Sequence, residues 1–165
     1  MEQRIVLEIP DLKVSAVATM RSQRAPRTCV AIWDALAEPV ERRLIHGTVS
    51  GPAVLFYDLP EVPEAKELPL ENHTMYPRAG ELLYFFQPWN GLRDLADIPP
   101  AWLRPGADVH EIVFAYGDAN LRLSTENGWR GSSFAQIDEG LDAFCEACAW
   151  MRMEGMKHIT LRRLV

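Results

Sequence analysis

The segment ENHTMYPRAGELLYFF, at residues 71–86, begins with side chains that can bind a small molecule. Side chains alternate between the two faces of a strand, so Asn72, Thr74 and Tyr76 share one face. Their amide and hydroxyl groups could hold a polar ligand by hydrogen bonds. The structural alternative is that Asn72 and Thr74 bond to the neighbouring loop backbone. The residues YPRAG that follow are typical of a turn, which predicts a hairpin with ELLYFF as its second strand.

Two further residues could act as an acid or a base. His46 lies in one strand pattern and Glu111 in another, VHEIVFAYG, and either group could exchange a proton with a bound molecule. A lone strand histidine is more often a hydrogen-bonded structural residue, and His110, beside Glu111, faces the opposite side of its strand. No HExxH motif or close cluster of His and Cys occurs, so we expect no metal site.

The cysteines offer a third kind of chemistry. Thr28 and Cys29 fall in the first turn of a predicted helix that begins at Pro26, where backbone N–H groups and the helix dipole favour an anion or a thiolate. Packing of Cys29 in the core is the alternative. Cys145 and Cys148 lie well inside a second predicted helix, which favours packed thiols over a redox pair.

The elements that must position these residues are mostly strands. Helical spacing predicts two helices, in APRTCVAIWDALAEP and DEGLDAFCEACAWMRM. Alternating apolar residues predict the strands, which are RIVLEIP, LKVSAVATM, two in ERRLIHGTVSGPAVLFYDL, the hairpin at 71–86, VHEIVFAYG, NLRLST, WRGSSFAQI and KHITLRRLV. About eight strands with two helices predict an antiparallel barrel or sandwich that the helices cap.

The composition limits the class of function. The 165 residues are 48% apolar, which predicts a single domain over residues 1–165. The net charge of −6 argues against a nucleic-acid partner, which needs clustered Lys and Arg. No signal sequence or membrane span is visible, and three cysteines are an odd number, so we expect a cytoplasmic protein with no membrane partner. P-loop, GxGxxG and GxSxG motifs are absent from the sequence, so no cofactor is expected.

The segment at residues 87–108 suggests a second function from another class. It is too broken by Pro and Gly to form one regular element, and Trp89 and Trp102 in it could dock a partner. The alternative hypothesis is therefore a noncatalytic protein-interaction module, or a homo-oligomer that forms through this loop.

Five motifs in order resemble a bacterial domain-of-unknown-function family with a cyclophilin-like barrel. They are APRTC, IHGTVSGPA, ENHTMYPRAGELLY, EIVFAYG and GSSFAQI, and they span about Ala25 to Ile137. The resemblance implies a closed eight-stranded antiparallel barrel with two capping helices. Relatives commonly read Gly-Asn-His-Phe where this chain has GSSF, so Ser132 and Ser133 replace Asn and His. The sequence lacks the motifs of prolyl-isomerising cyclophilins, and we do not expect that activity.

The resemblance also implies that the separated polar residues converge at the mouth of the barrel. We therefore expect a pocket there that binds a small polar metabolite; whether the protein also hydrolyses or isomerises it is left open. The catalytic candidates are His46 and Glu111. The candidates for ligand binding are Thr28, Cys29, Asn72, Thr74, Tyr76 and Ser132.

Overall fold

The computed structural model describes most of the chain. The described residues are 2–47, 50–57, 59, 62, 65–88, 106–124 and 129–164. The strands are β1 (Arg4–Ile9), β2 (Val14–Met20), β3 (Val40–His46), β4 (Ala53–Tyr57), β5 (His73–Thr74), β6 (Glu81–Gln87), β7 (Val109–Ala115), β8 (Gly131–Glu139) and β9 (Lys157–Leu164). The helices are α1 (Pro26–Ala35) and α2 (Leu141–Glu154). None of the described helices is long and apolar enough to cross a membrane.

Eight of these strands close into a ring. Their order is β2-β1-β9-β3-β4-β7-β6-β8, and β8 pairs with β2 to complete the ring. Every pairing is antiparallel. The short β5 lies outside the ring and pairs with β8 alone. The closed eight-stranded antiparallel barrel with two helices that the sequence predicted is confirmed.

The alternation of apolar side chains fills the inside of the barrel. Ile5, Leu7 and Ile9 of β1 are fully buried in the main core, because side chains two apart on a strand share a face. α2 packs on this core through its apolar stripe, and the ring of Phe144 meets that of Phe114 edge to face at 5.1 Å. Burial of such a stripe is the main source of stability for a helix of this length.

A second, smaller core lies on the outward face of β4, β6 and β7. We call it the outer cluster, and its buried members are Ala53, Leu55, Leu83, Phe85, Val113, Ala115, Ala119 and Leu121. These strands are apolar on both faces, since the intervening residues, such as Phe56 and Ile112, belong to the main core. Part of the barrel wall is therefore covered from outside, which creates a second buried environment.

The hairpin predicted at residues 71–86 is wrong. β5 pairs with β8, with His73 opposite Ser132, whereas β6 pairs with β7 and β8. The physical reason is Asn72, whose φ of 44° bends the chain and whose side chain bonds to the backbone of β8.

The strand predicted at NLRLST is also wrong. Residues Leu121–Ser124 form a single 3-10 turn. The N–H of Leu121 donates to the carbonyl of Met75, and the Leu121 side chain is buried in the outer cluster. The apolar Leu121 is thus buried without belonging to a strand.

Candidate functional site

The first turn of α1 is already occupied by a carboxylate of the same chain. Glu71 accepts hydrogen bonds from the Thr28 N–H at 2.8 Å and the Thr28 hydroxyl at 2.9 Å, and a longer one from the Arg27 N–H at 3.3 Å. Negative charge is favourable there because of the free N–H groups and the helix dipole. The carboxylate of Glu71 therefore occupies the position at which an anion was expected. The side chain of Thr28, which bonds to Glu71, is fully buried.

Cys29 is a core residue. Its side chain is fully buried, and its thiol donates to the carbonyl of Phe134 at 3.3 Å. Burial raises the pKa of the thiol to about 11, which opposes a thiolate. This burial favours the packing alternative over ligand binding by Cys29, because the side chain has no exposed surface.

The three thiols should react at very different rates. Cys29 and Cys148 are buried and Cys145 is half-buried, and burial raises the pKa of the Cys148 thiol as well. We expect Ellman's reagent at pH 8 to label Cys145 first and the other two at least roughly a hundredfold more slowly. Mass spectrometry of the labelled native protein identifies the site, and unfolding in urea should equalise the three rates. Equally fast labelling of Cys29 in the native state would contradict this assignment.

Asn72 and Ser132 hold β5 against β8. The Asn72 side-chain amide donates to the carbonyl of Ser133 at 2.8 Å. The Ser132 hydroxyl accepts from the backbone N–H of Glu71 at 3.2 Å and is almost fully buried. Both groups are therefore engaged with backbone, although Asn72 bonds to strand β8 and not, as the structural alternative expected, to the neighbouring loop.

Thr74 and Tyr76 lie further toward the surface. The Thr74 hydroxyl accepts from the Tyr76 N–H at 2.9 Å, which closes a local turn. The Tyr76 side chain is 52% exposed. This tyrosine is free to contact solvent or a ligand, whereas the hydroxyl of Thr74 is used within its own loop.

A polar network that the sequence analysis missed joins β2, β6 and β8. Arg21, directly after β2, donates to Glu81, to the Ser133 hydroxyl at 2.6 Å and to the Gln136 side chain at 2.8 Å. Burial alone would raise the pKa of Glu81, but hydrogen bonds from the Arg78 N–H and from Arg21 lower it below its usual range. The sequence did contain a signal for this network, because Glu81 and Gln136 are polar residues within otherwise apolar strand patterns.

His46 has a hydrogen-bond partner at each ring nitrogen. Nδ1 lies 2.6 Å from the carbonyl oxygen of Gly47, which can only accept, so Nδ1 carries the proton. Nε2 then accepts from the hydroxyl of Tyr116, 2.6 Å away. The neighbour Ile45 packs on the outer cluster, so alternation directs His46 to the opposite face.

Glu111 is the most unusual polar residue of the described structure. Its side chain is fully buried, and neither carboxyl oxygen has a hydrogen-bond partner in the part of the chain that the structure describes. It lies opposite Tyr57 of β4 and Phe85 of β6, on the same outward face as Val113. Burial raises the pKa of Glu111 to about 8, so near neutral pH the carboxyl is mostly protonated.

Two aromatic residues, Tyr57 and Phe85, flank Glu111 in the sheet. Tyr57 is half-buried, and burial, together with the charge of Glu111, raises the pKa of its phenol. The ring of Trp129 packs on that of Phe85 at 5.7 Å. Gly131 leaves room for Phe85, because a Cβ at that position would lie 2.5 Å from the ring. An apolar corner with one isolated carboxyl is a typical composition for a small-molecule site.

The structure thus separates the eight candidate residues instead of joining them in one pocket. Thr28, Cys29, Asn72 and Ser132 gather where α1 meets β8, with Thr74 and Tyr76 beside them on β5 and its loop. His46 and Glu111 lie on opposite faces of the barrel wall. No group of three His, Cys, Asp or Glu among the described residues could hold a metal ion. Of the loop predicted as a contact surface, residues 89–105, with Trp89 and Trp102, lie outside the described residues.

Comparisons with known proteins support the fold. No curated protein matches the chain's sequence. The structure is similar to McbB, solved in complex with tryptophan, with a TM-score of 0.64 and 13% identity over 96% of this chain and 44% of the McbB chain. The chain therefore spans less than half the length of McbB. It is also similar to the Mimivirus cyclophilin, with a TM-score of 0.50 and 10% identity over 98% of this chain and 86% of that one. At such identities the likeness shows the fold alone, and it confirms a cyclophilin-like barrel.

Nearly the whole sequence also matches one family model. The match covers residues 7–163, and the model is described as "Protein of unknown function (DUF3830)". This range extends from β1 to β9 and confirms the expected type of family without naming an activity. The chain belongs to the DUF3830 family.

Proposed function

We infer that the protein binds a small polar molecule on the outward face of β4, β6 and β7, and that Glu111 holds it. The observation that carries this proposal is the fully buried carboxyl of Glu111, without a hydrogen-bond partner among the described residues. Of the two catalytic candidates, Glu111 is the one with free hydrogen-bonding capacity, since both ring nitrogens of His46 have partners.

The energetic argument rests on the cost of an unpaired polar group. A buried polar group that lacks a partner destabilises a protein by roughly 1–3 kcal/mol, and buried polar groups in native structures are nearly always satisfied. A ligand that supplies hydrogen bonds to Glu111 removes this cost on binding. The apolar side chains around the carboxyl, Phe85, Val113 and Tyr57, would contact the remainder of the ligand.

The same carboxyl could also take part in a reaction. A general acid or base works best when its pKa lies near the operating pH, and burial brings the pKa of Glu111 to about 8. Glu111 would give a proton to the bound molecule or take one from it. His46 is the second candidate for proton transfer, with Tyr116 as the hydroxyl that it would activate.

A binding screen tests this proposal. Thermal unfolding is followed with a panel of amines, amides, cyclic imides, carboxylates and amino acids, and tryptophan is included because McbB was solved with it. A ligand at a hundred times its Kd stabilises the native state by about 2.7 kcal/mol. We expect at least one hit, which Glu111→Gln should abolish.

The matched control is Glu146→Gln, the same chemical change at an exposed position of α2. This variant should keep every hit of the wild type. Hits that survive Glu111→Gln at full strength would refute the site, and a panel without any hit would refute the proposed class of ligand. The interaction-module alternative, including a homo-oligomer formed through residues 87–108, stays a prediction.

A further inference from the structure

We propose that the ligand of Glu111 is an organic ammonium ion with an aromatic or other apolar body, an inference that rests on the proposed function. The geometry that supports it is a buried carboxyl that has no hydrogen-bond partner among the described residues and lies between two aromatic residues of the neighbouring strands. The carboxyl would select the ammonium group of the ligand, and the aromatic residues would select its apolar body.

The missing positive charge is the first argument. A buried carboxylate needs a cation or several donors beside it, and Glu111 has neither among the described residues. Burial is the cause of the raised pKa of Glu111, with no contribution from a charged side chain. The guanidinium of Arg21, on the same outward face of the barrel, is engaged by Glu81. The free carboxyl is therefore mostly neutral near pH 7, and its ionised form needs a positive charge that no described residue supplies.

The aromatic walls are the second argument. Tyr57 and Phe85 lie on either side of Glu111 in the sheet, and Trp129 packs on Phe85. Aromatic faces attract cations, and they also provide apolar contact for the body of a ligand. An ammonium group on an aromatic body fits both features, whereas a carboxylate or phosphate would meet no positive charge beside Glu111 from the residues that the structure describes.

The charge balance of binding gives a measurable signature. In the free protein near pH 7 the carboxyl of Glu111 is mostly protonated, and a simple amine in water is protonated as well. When the ammonium ion binds, the carboxyl proton leaves to solvent, and a carboxylate–ammonium pair remains. Of the titratable groups nearby, Tyr57 faces Glu111 from β4 and stays neutral, and His110 faces the opposite side and bonds to Tyr84. On β6 the residue opposite Glu111 is the apolar Phe85, and Glu81, at the other end of that strand, is paired with Arg21.

Isothermal titration calorimetry tests this inference with three probes that share one phenyl body: phenethylamine, 2-phenylethanol and phenylacetamide. Titrations at pH 7 in phosphate and in Tris, whose ionisation enthalpies differ, report the number of protons released. We expect phenethylamine to bind most tightly and to release about one proton per molecule bound. Its affinity should rise roughly tenfold per pH unit below pH 8 and level off above it.

Two variants complete the experiment. Glu111→Gln should remove both the phenethylamine affinity and the proton release, while Glu146→Gln should preserve them. Tighter binding of phenylacetamide without proton release would overturn the ammonium assignment and leave the proposed function standing. Failure of phenethylamine to bind would also overturn it, and the screen described above would then decide the proposed function separately.

Discussion

Raising the pH from about 5 to about 8 should destabilise the protein by roughly 3 kcal/mol, and Glu111→Gln should abolish most of that loss. The pKa of Glu111 is about 8 in the folded protein, because of burial, and about 4.5 as a free side chain. Between these values the native state holds a proton that the unfolded state has released. Stability therefore falls as pH rises through this window, and the loss is complete above the folded-state pKa.

Urea unfolding at several pH values measures this effect. The other perturbed carboxyls act outside the window: hydrogen bonds outweigh burial and lower the pKa of Asp11, of Glu81 and of Asp138, so their contribution is lost only as pH falls below about 4. In the control variant Glu146→Gln the free energy of unfolding should depend on pH as it does in the wild type. If the free energy of unfolding falls with pH equally in the wild type and in Glu111→Gln, Glu111 is ionised in the folded protein. The argument for a ligand site at Glu111 would then fail.

Replacement of Arg21 by Met should lower the free energy of unfolding by about 3 kcal/mol, at the lower end of the range for breaking a buried ion pair. The side chains of Arg21 and Glu81 are only 23% and 15% exposed, so the variant would leave a poorly solvated carboxylate. It would also remove the bonds to Ser133 and Gln136 that join β8 to the end of β2.

A double-mutant cycle separates these contributions. Glu81→Gln in the Arg21→Met background should restore part of the lost stability, because it removes the uncompensated charge. Chemical denaturation of the wild type, both single variants and the double variant gives the coupling energy. Additive losses would show that the two side chains do not interact in solution.

Strong alternation in the strands predicted an antiparallel barrel or sandwich, and the family resemblance implied the closed eight-stranded form. In β1, Ile5, Leu7 and Ile9 mark the inward face without ambiguity. The same approach failed for β5 and for Leu121–Ser124, where local backbone geometry decided the outcome. The φ of 44° at Asn72 sends the chain onto β8, and apolar alternation carries no information about such a bend.

The candidate site was predictable only in part. Glu111 stood out as a carboxylate within an apolar strand pattern, but its lack of partners depends on which residues β4 and β6 place beside it. Arg21 and Glu81 meet because β8 lies between β2 and β6 in the ring, and no local pattern contains that information. The outer cluster could not be predicted either, because the sequence does not show in which of the two cores an apolar residue is buried.

The β8–β2 pairing that closes the ring also has a kinetic consequence. Thr19 and Asp138, which are hydrogen-bonded across this seam, are 119 residues apart in the sequence. Bringing such distant segments together lowers the entropy of the chain before any stabilising contact between them has formed. This pairing should therefore contribute to the folding barrier, and until it forms β2 and β8 expose unpaired edges that can pair with other chains.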